Sequence, residues 1–332
     1  MANSISRIEI KDFLVFKGEF SADFCPGINI LIGSNGCGKT TILKAIYQFY
    51  QVARSNMVEC QWALPVVDKN NLANSTNPYP SLVSAEKIAV TIGGDKLSIV
   101  ESGNGEIETA LRDSKAVYIP EKDILEHAKG LLTFIEQKQT GFSQLYKDVL
   151  VAAMDVPTRK QTALQKSIKE KIVSIIGGTI QWDKSEGSFY TMRTDGTRIP
   201  FANEASGFKK LGYLGLLVSS GQLDNRSVLF WDEPENSLNP DLIPMLVEIL
   251  LELQRGGVQM FIATHSELLA NKFNISRKSS DEIKFFSLYK GDDGSIKADT
   301  DTRFDLLQPN KLMQASVEQY ESEVERGLGD NA

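Results

Sequence analysis

Residues 33–40 read G-S-N-G-C-G-K-T and meet every fixed position of the phosphate-loop pattern G-x4-G-K-[S/T]. The pattern works only between a strand and a helix, and the chain supplies both. Ile28, Asn29, Ile30, Leu31 and Ile32 form a run with the length of a buried strand, while Ile42, Leu43, Ile46 and Phe49 recur at helical spacing after the loop. Gly33, Gly36 and Gly38 let the backbone close around phosphate, so that successive N–H groups point inward at a helix N-terminus. The expected cradle is Gly33, Ser34, Asn35, Gly36, Cys37, Gly38, Lys39, Thr40 and Thr41. Lys39 then reaches the β- and γ-phosphates, and the Thr40 hydroxyl holds Mg2+. Alone, the loop says only that a nucleoside triphosphate binds.

What else the site contains depends on how much chain is available to build around it. The sequence has 332 residues, 42% hydrophobic and 24% charged, with a formal net charge of -7. That is enough for one large α/β domain with insertions or for two modest ones. The acidic balance excludes a surface that is basic all round, but not a local basic patch. Cys25, Cys37 and Cys60 have no metal-ligand spacing, and His127 and His265 are the only histidines, which argues against a zinc site. Cys37 lies inside the loop, either as a thiol made reactive by the helix N-terminus or as a small residue the loop tolerates. No apolar run has membrane-spanning length, and the polar start lacks a secretory signal, so a cytoplasmic location is expected.

Residues 5–24 alternate and turn as an antiparallel hairpin leading into the strand before the loop. Its Phe13 and Phe16 either stack on an adenine ring or pack the hairpin's inner face. Residues 65–84, rich in Asn, Ser and Pro, read as a mobile loop. Residues 88–92 and 97–100 form a second hairpin that extends the N-terminal layer, and 116–120 a short buried strand. From 122 to 176 the pattern is helical, with Leu164, Ile168, Ile172 and Ile176 on one face. Arg159, Lys160, Lys166, Lys169 and Lys171 lie mostly off it, as a face that either meets nucleic acid or a partner, or is simply solvated. There is no long heptad tract. Strands follow at 179–182, 189–193, 198–201, 228–231, 260–263 and 283–288, with helices at 206–219, 240–254, from Ser266, and at 309–326.

The strand at 228–231 ends in Asp232 and Glu233. After a phosphate loop, an acid there holds Mg2+ and the next is placed to polarise the attacking water. His265 ends the following strand, at the edge where ligands bind in open α/β sheets, within reach of a γ-phosphate or that water.

Together these residues resemble the ATP-binding cassette superfamily, and within it the soluble RecF, SMC and overcoming-lysogenisation-defect ATPases rather than the transporter branch. The resemblance runs from Ile5 to His265. It implies an α/β fold of P-loop NTPase type: an ABC-ATPase head with an N-terminal antiparallel β layer, a mixed central sheet and an inserted helical lobe. It also implies one domain over 1–332, with 1–121 holding the β layer and Walker A unit, 122–205 the lobe and β hairpins, and 206–332 the rest. Residues 33–40 are then Walker A, 228–233 Walker B with Glu233 as catalytic base, 236–239 the D-loop and His265 the switch histidine. Residues 204–210, E-A-S-G-F-K-K, resemble the signature motif. Two positions depart from the pattern. Glu121 stands where the Q-loop glutamine is usual, with its carboxylate expected near Mg2+ or water, or with the contact displaced to Lys122. Asn239 ends the D-loop.

Ser206 is expected as a helix N-cap, so that its hydroxyl and the N–H groups that follow, including that of Gly207, make a second anion site. In the superfamily that site faces ATP held by another subunit, which implies a homodimer closed head to tail through ATP. The expected function is an Mg2+-dependent ATPase subunit controlling a separate effector, nuclease or toxin, in prokaryotic antiphage defence or genome maintenance. The alternative is a RecF- or SMC-like repair ATPase acting on DNA directly, with Lys209, Lys210 and the basic helix as contacts. A transporter subunit and a clamp with negligible turnover rank below these.

Overall fold

The computed structural model describes residues 4–55, 88–92, 95–98, 114–131, 144–155, 158 and 160–329. The loop expected at 65–84, Cys60 and Arg159 lie outside them. Strands β1 (Ile5–Phe13) and β2 (Phe16–Asp23) pair antiparallel, with Ile8 opposite Ala22, Ile10 opposite Phe20 and Phe13 opposite Phe16. This alternation turns one apolar face inward. Phe13 and Phe16 are 2% and 1% exposed, so both pack the inner face and neither is open to an adenine. Strands β3 (Ile28–Gly33), β4 (Ile88–Ile92) and β5 (Asp95–Ser98) follow, and β4 and β5 extend the hairpin into a sheet of order β2-β1-β4-β5.

The second sheet carries the site. Its further strands are β6 (Lys115–Ile119), β10 (Ser227–Asp232), β11 (Gln259–Ala263), β12 (Ile283–Lys290) and β13 (Ile296–Asp301), in the order β13-β12-β3-β11-β10-β6. All neighbours are parallel except β12 and β13, so the sheet is mixed. Every residue of β3, β10 and β11 is buried, which is why these strands read as continuous apolar runs. Their side chains alternate between two cores. On one face, Leu31, Phe230, Phe261 and Phe286 pack with the hairpin and with α1 (Lys39–Ser55). On the other, Ile30, Leu229, Trp231 and Ile262 pack with α3 (Ala163–Ile176), α4 (Ser206–Ser219), α5 (Ile243–Arg255) and α6 (Glu267–Ser276).

Helix α2 (Gln144–Met154) precedes α3, and the small sheet β7 (Gly178–Asp183), β8 (Ser188–Arg193), β9 (Arg198–Pro200) follows it. Thr162 and Gln165 cap α3 reciprocally, and Ile168, Ile172 and Ile176 turn to the core as their spacing requires. The basic face read on this helix is partly committed: Lys171 Nζ lies 2.6 Å from both Glu248 and Glu252 of α5. Strand β13 is not legible in the sequence, because of its six residues only Ile296 is buried. Helix α7 (Lys311–Gly329) ends the described chain.

Candidate functional site

Parallel order places the C-terminal ends of β3, β11 and β10 side by side, and each end leads into one of the singled-out motifs. Gly33 closes β3 at φ +141, where a Cβ would meet the Leu288 carbonyl oxygen at 2.2 Å. At Gly38 (φ +94) a Cβ would lie 2.5 Å from Phe16 Cζ, so the hairpin's buried ring forms the floor of the loop. Both positions demand glycine for conformation and space together. Ser34, Asn35 and Gly36 are exposed, Cys37 is buried, and Lys39, Thr40 and Thr41 open α1.

Lys39 is buried, and its Nζ donates to the carbonyls of Gly33 (2.8 Å) and Ser34 (3.1 Å) and lies 3.9 Å from Cys37 Sγ. It also lies 3.4 Å from His265 Nδ1. A lysine ammonium has only protons to give, so Nδ1 accepts and the imidazole proton sits on Nε2. That nitrogen is 3.0 Å from Glu233 Oε1. Burial, followed by the Lys39 charge, lowers the His265 pKa and favours this neutral form. The Glu233 carboxyl is pushed the other way, above the usual range, by burial first and then by the charges of Glu121, Asp232 and Glu235.

Thr40 Oγ1 donates to Asp232 Oδ1 (3.0 Å) and Tyr118 Oη to Oδ2 (3.3 Å). Both carboxylate oxygens accept, which opposes the upward shift that burial imposes on Asp232. Glu233 adopts φ +50, unusual for a residue with a Cβ. Its backbone is held at both ends: its N–H bonds Ala263 O (2.9 Å), and its carbonyl accepts from Lys210 Nζ (2.8 Å).

Two expectations change. Ser206 is the first residue of α4 rather than its cap, because the extended N-cap residue is Ala205, which has no side-chain acceptor. The first N–H groups of any helix, here those of Ser206 and Gly207 among them, lie outside the helical ladder, and in α4 no N-cap side chain accepts from them. Lys209 and Lys210, read as DNA contacts, are 6% and 8% exposed. Lys209 Nζ pairs with Glu126 at 2.6 Å and Lys210 bonds Glu233, so neither offers a surface charge. Glu121 Oε1 accepts from Asn236 Nδ2 at 3.1 Å and its charge acts on both Asp232 and Glu233, while Lys122 is exposed. Asn239, the other departure, caps the 3-10 turn Pro240–Leu242 through Asp241 N.

Sequence reasoning misses Glu235. Its Oε1 accepts from Thr264 Oγ1 (2.6 Å), His265 N (3.0 Å) and Ser266 N (3.1 Å), fixing the corner that carries His265. In the sequence Tyr118 is visible only as part of a strand. Neither role has a local signal, since both depend on which strands become neighbours.

The donor set fits Mg2+ with a nucleotide. Thr40 and Asp232 bring a hydroxyl and a carboxylate within hydrogen-bond distance at the mouth of the glycine cradle, and Mg2+ takes hard oxygen ligands.

A protein-family model described as "AAA domain, putative AbiEii toxin, Type IV TA system" matches residues 92–271, more than half of the chain. A second, described as "AAA ATPase domain", matches residues 4–111. The chain is similar to the DNA replication and repair protein RecF of Lactobacillus gasseri, 48% identical over 52 residues, 16% of this chain and 13% of that protein. It is also similar to RecF of Streptococcus uberis, 37% identical over 68 residues, 20% of this chain and 18% of that protein. The matches therefore span less than a fifth of these relatives' length. Among solved structures, an SMC head bound to the C-terminal winged-helix domain of ScpA superposes with TM-score 0.53 at 15% identity, covering 90% of this chain and 98% of that one. An Smc head with an extended coiled coil, bound to the C-terminal domain of ScpA from Pyrococcus furiosus, gives 0.51 at 11%, covering 96% and 99%. These superpositions show the fold of an SMC head.

Proposed function

The chain belongs to the AAA-domain family of ATPases, and from that premise we propose that it works as an ABC-type ATPase of the RecF and SMC kind, hydrolysing ATP as a nucleotide-gated dimer that controls a partner effector. One observation carries the reading: three motifs far apart in sequence meet in two short links, Thr40 to Asp232 and Lys39 to His265 to Glu233. In this role residues 33–41 bind the triphosphate, Lys39 stands against its terminal phosphates, and Thr40 and Asp232 hold Mg2+. The metal, when bound, neutralises charge on the β- and γ-oxygens. Glu233 accepts the proton of the attacking water, and His265, neutral with its proton on Nε2, orients that carboxylate. Glu121 acts on Glu233 through its charge rather than as a metal ligand.

The second half of each site comes from the α4 N-terminus of another copy. Its uncapped N–H groups and dipole suit a γ-phosphate. Ser206 and Gly207 are therefore proposed to face ATP held by the partner. Ser206→Arg is expected to leave ATP binding intact and to abolish the dimer that ATP and Mg2+ induce. Sedimentation with and without nucleotide reads this directly, and an unchanged ATP-dependent dimer would remove α4 from the interface.

A further test follows from the charges around Glu233. The base works ionised, so its raised pKa places the acidic limb of the rate profile above that of an ordinary glutamate. Glu121→Gln removes one of the charges that raise it, and the limb is expected to move to lower pH. A limb that stays in place or moves upward in steady-state phosphate release would contradict the assignment of base or neighbour.

The separate effector, a nuclease or toxin, and the setting in antiphage defence or genome maintenance are part of the proposal; the matched family's description, which names a type IV TA system, is in keeping with a defence-type setting and names no effector. Direct action on DNA is less well supported, because Lys209 and Lys210 are buried and paired within the chain. Among the described residues no helix is long and apolar enough to cross a membrane.

A further inference from the structure

Among the described residues, helix α7 is anchored by its first turn. Buried Asn310 accepts from Met313 N at 3.2 Å, and Leu312 and Met313 pack against the core. The Ser316 hydroxyl meets Glu267 at the start of α6. Every residue from Gln314 to Arg326 is exposed.

On that outer stretch Val317, Tyr320 and Val324 are 50%, 67% and 41% exposed. With Met313 they are spaced by four, three and four residues, the period of a seam that packs against another helix. Three isolated apolar residues on a surface would need no explanation, but three in register do.

The charges on the same helix say what covers the seam. Glu318, Glu321 and Glu325 stand three and four residues apart, and like charges at those spacings oppose helix formation. The outer stretch therefore gains helical stability from whatever docks on it. Glu321 and Glu323 border the seam on opposite sides, and the only basic residue from 317 to 326, Arg326, lies on the far face. A second copy would bring two acidic borders together. A helix with basic borders would pair with both.

We infer that α7 is a docking strip for an amphipathic helix of a partner protein, one whose apolar seam is bordered by lysine or arginine. The inference rests on the proposed function only in taking the occupant to be another protein. It gives that reading's effector a place of attachment.

The test uses the full chain and two labelled three-heptad peptides with the same Leu/Ile seam, one with Lys and the other with Glu at the bordering positions, followed by anisotropy. The Lys peptide is expected to bind at least about tenfold more tightly than the Glu peptide, with a preference that weakens as salt rises. Val317→Asp/Tyr320→Asp should remove binding. Glu321→Lys/Glu323→Lys, which keeps the seam, should invert the peptide preference. Both variants should retain the ATP-induced sedimentation shift. Equal binding of the two peptides, no binding of either, or a preference unmoved by charge reversal overturns the inference. A nucleotide-free dimer that dissociates in Val317→Asp/Tyr320→Asp also overturns it, by assigning the strip to a second copy. In the unmodified chain, absence of peptide binding with ATP-dependent dimerisation intact refutes the docking strip alone. The converse result refutes the nucleotide-gated dimer alone.

Discussion

Glu233→Gln is expected to lower ATP turnover by about two to four orders of magnitude, the usual contribution of a positioned general base, while leaving nucleotide affinity near that of the unmodified chain. The substitution is close to isosteric. The amide oxygen it introduces would still accept from His265 Nε2, which lies 3.0 Å from Glu233 Oε1, so the imidazole keeps its tautomer and its contact with Lys39. The backbone is expected to keep its φ of +50, because the bonds to Ala263 O and from Lys210 Nζ involve main-chain atoms that the substitution does not touch. What disappears is the capacity to take a proton. ATP then persists between two copies, and the dimer should accumulate on sedimentation with ATP and Mg2+. Turnover at the rate of the unmodified chain would sink the assignment of Glu233 as base. Lost turnover together with lost binding would mean that the side chain acts on the ground state instead.

The parts of this site that could be read in advance are those whose chemistry is local. A glycine-rich loop between an apolar strand and an amphipathic helix is a continuous segment, and β3 and α1 form there because each needs only its own period. Asp232 and Glu233 were legible because β10 is buried throughout and ends at them. Glu235 was not, since its three donors come from Thr264, His265 and Ser266, which meet it only once β11 lies beside β10. The same reason hid the fate of Lys209 and Lys210. A lysine in sequence looks solvated, and nothing local records that Glu126 or the Glu233 carbonyl lies within hydrogen-bond reach. Ser206 misled by a single residue: a serine before an apolar helix is the commoner cap, yet the extended residue here is Ala205, and the result is a more open N-terminus than a capped one.

Lys39→Ala is expected to weaken ATP binding by about two orders of magnitude or more, because two effects act in the same direction. The first is loss of the charged donor to the terminal phosphates, where unmade hydrogen bonds to charged groups weigh most. The second is local electrostatics. Lys39 is buried, and the carboxylates of Asp232 and Glu233 act on it to hold its charge against the lowering that burial imposes. Without the ammonium those two carboxylates face an anionic triphosphate unopposed, so the loss should exceed that of one hydrogen bond. Calorimetry with a non-hydrolysable ATP analogue measures it, and unchanged affinity would sink the reading of residues 33–40 as the phosphate site. His265 supplies an internal control. The Lys39 charge is one cause of its lowered pKa, so removing that charge should raise the imidazole pKa, observable by NMR without any nucleotide. An affinity loss with the imidazole pKa unmoved would mean that Lys39 and His265 do not share the site as the 3.4 Å contact requires.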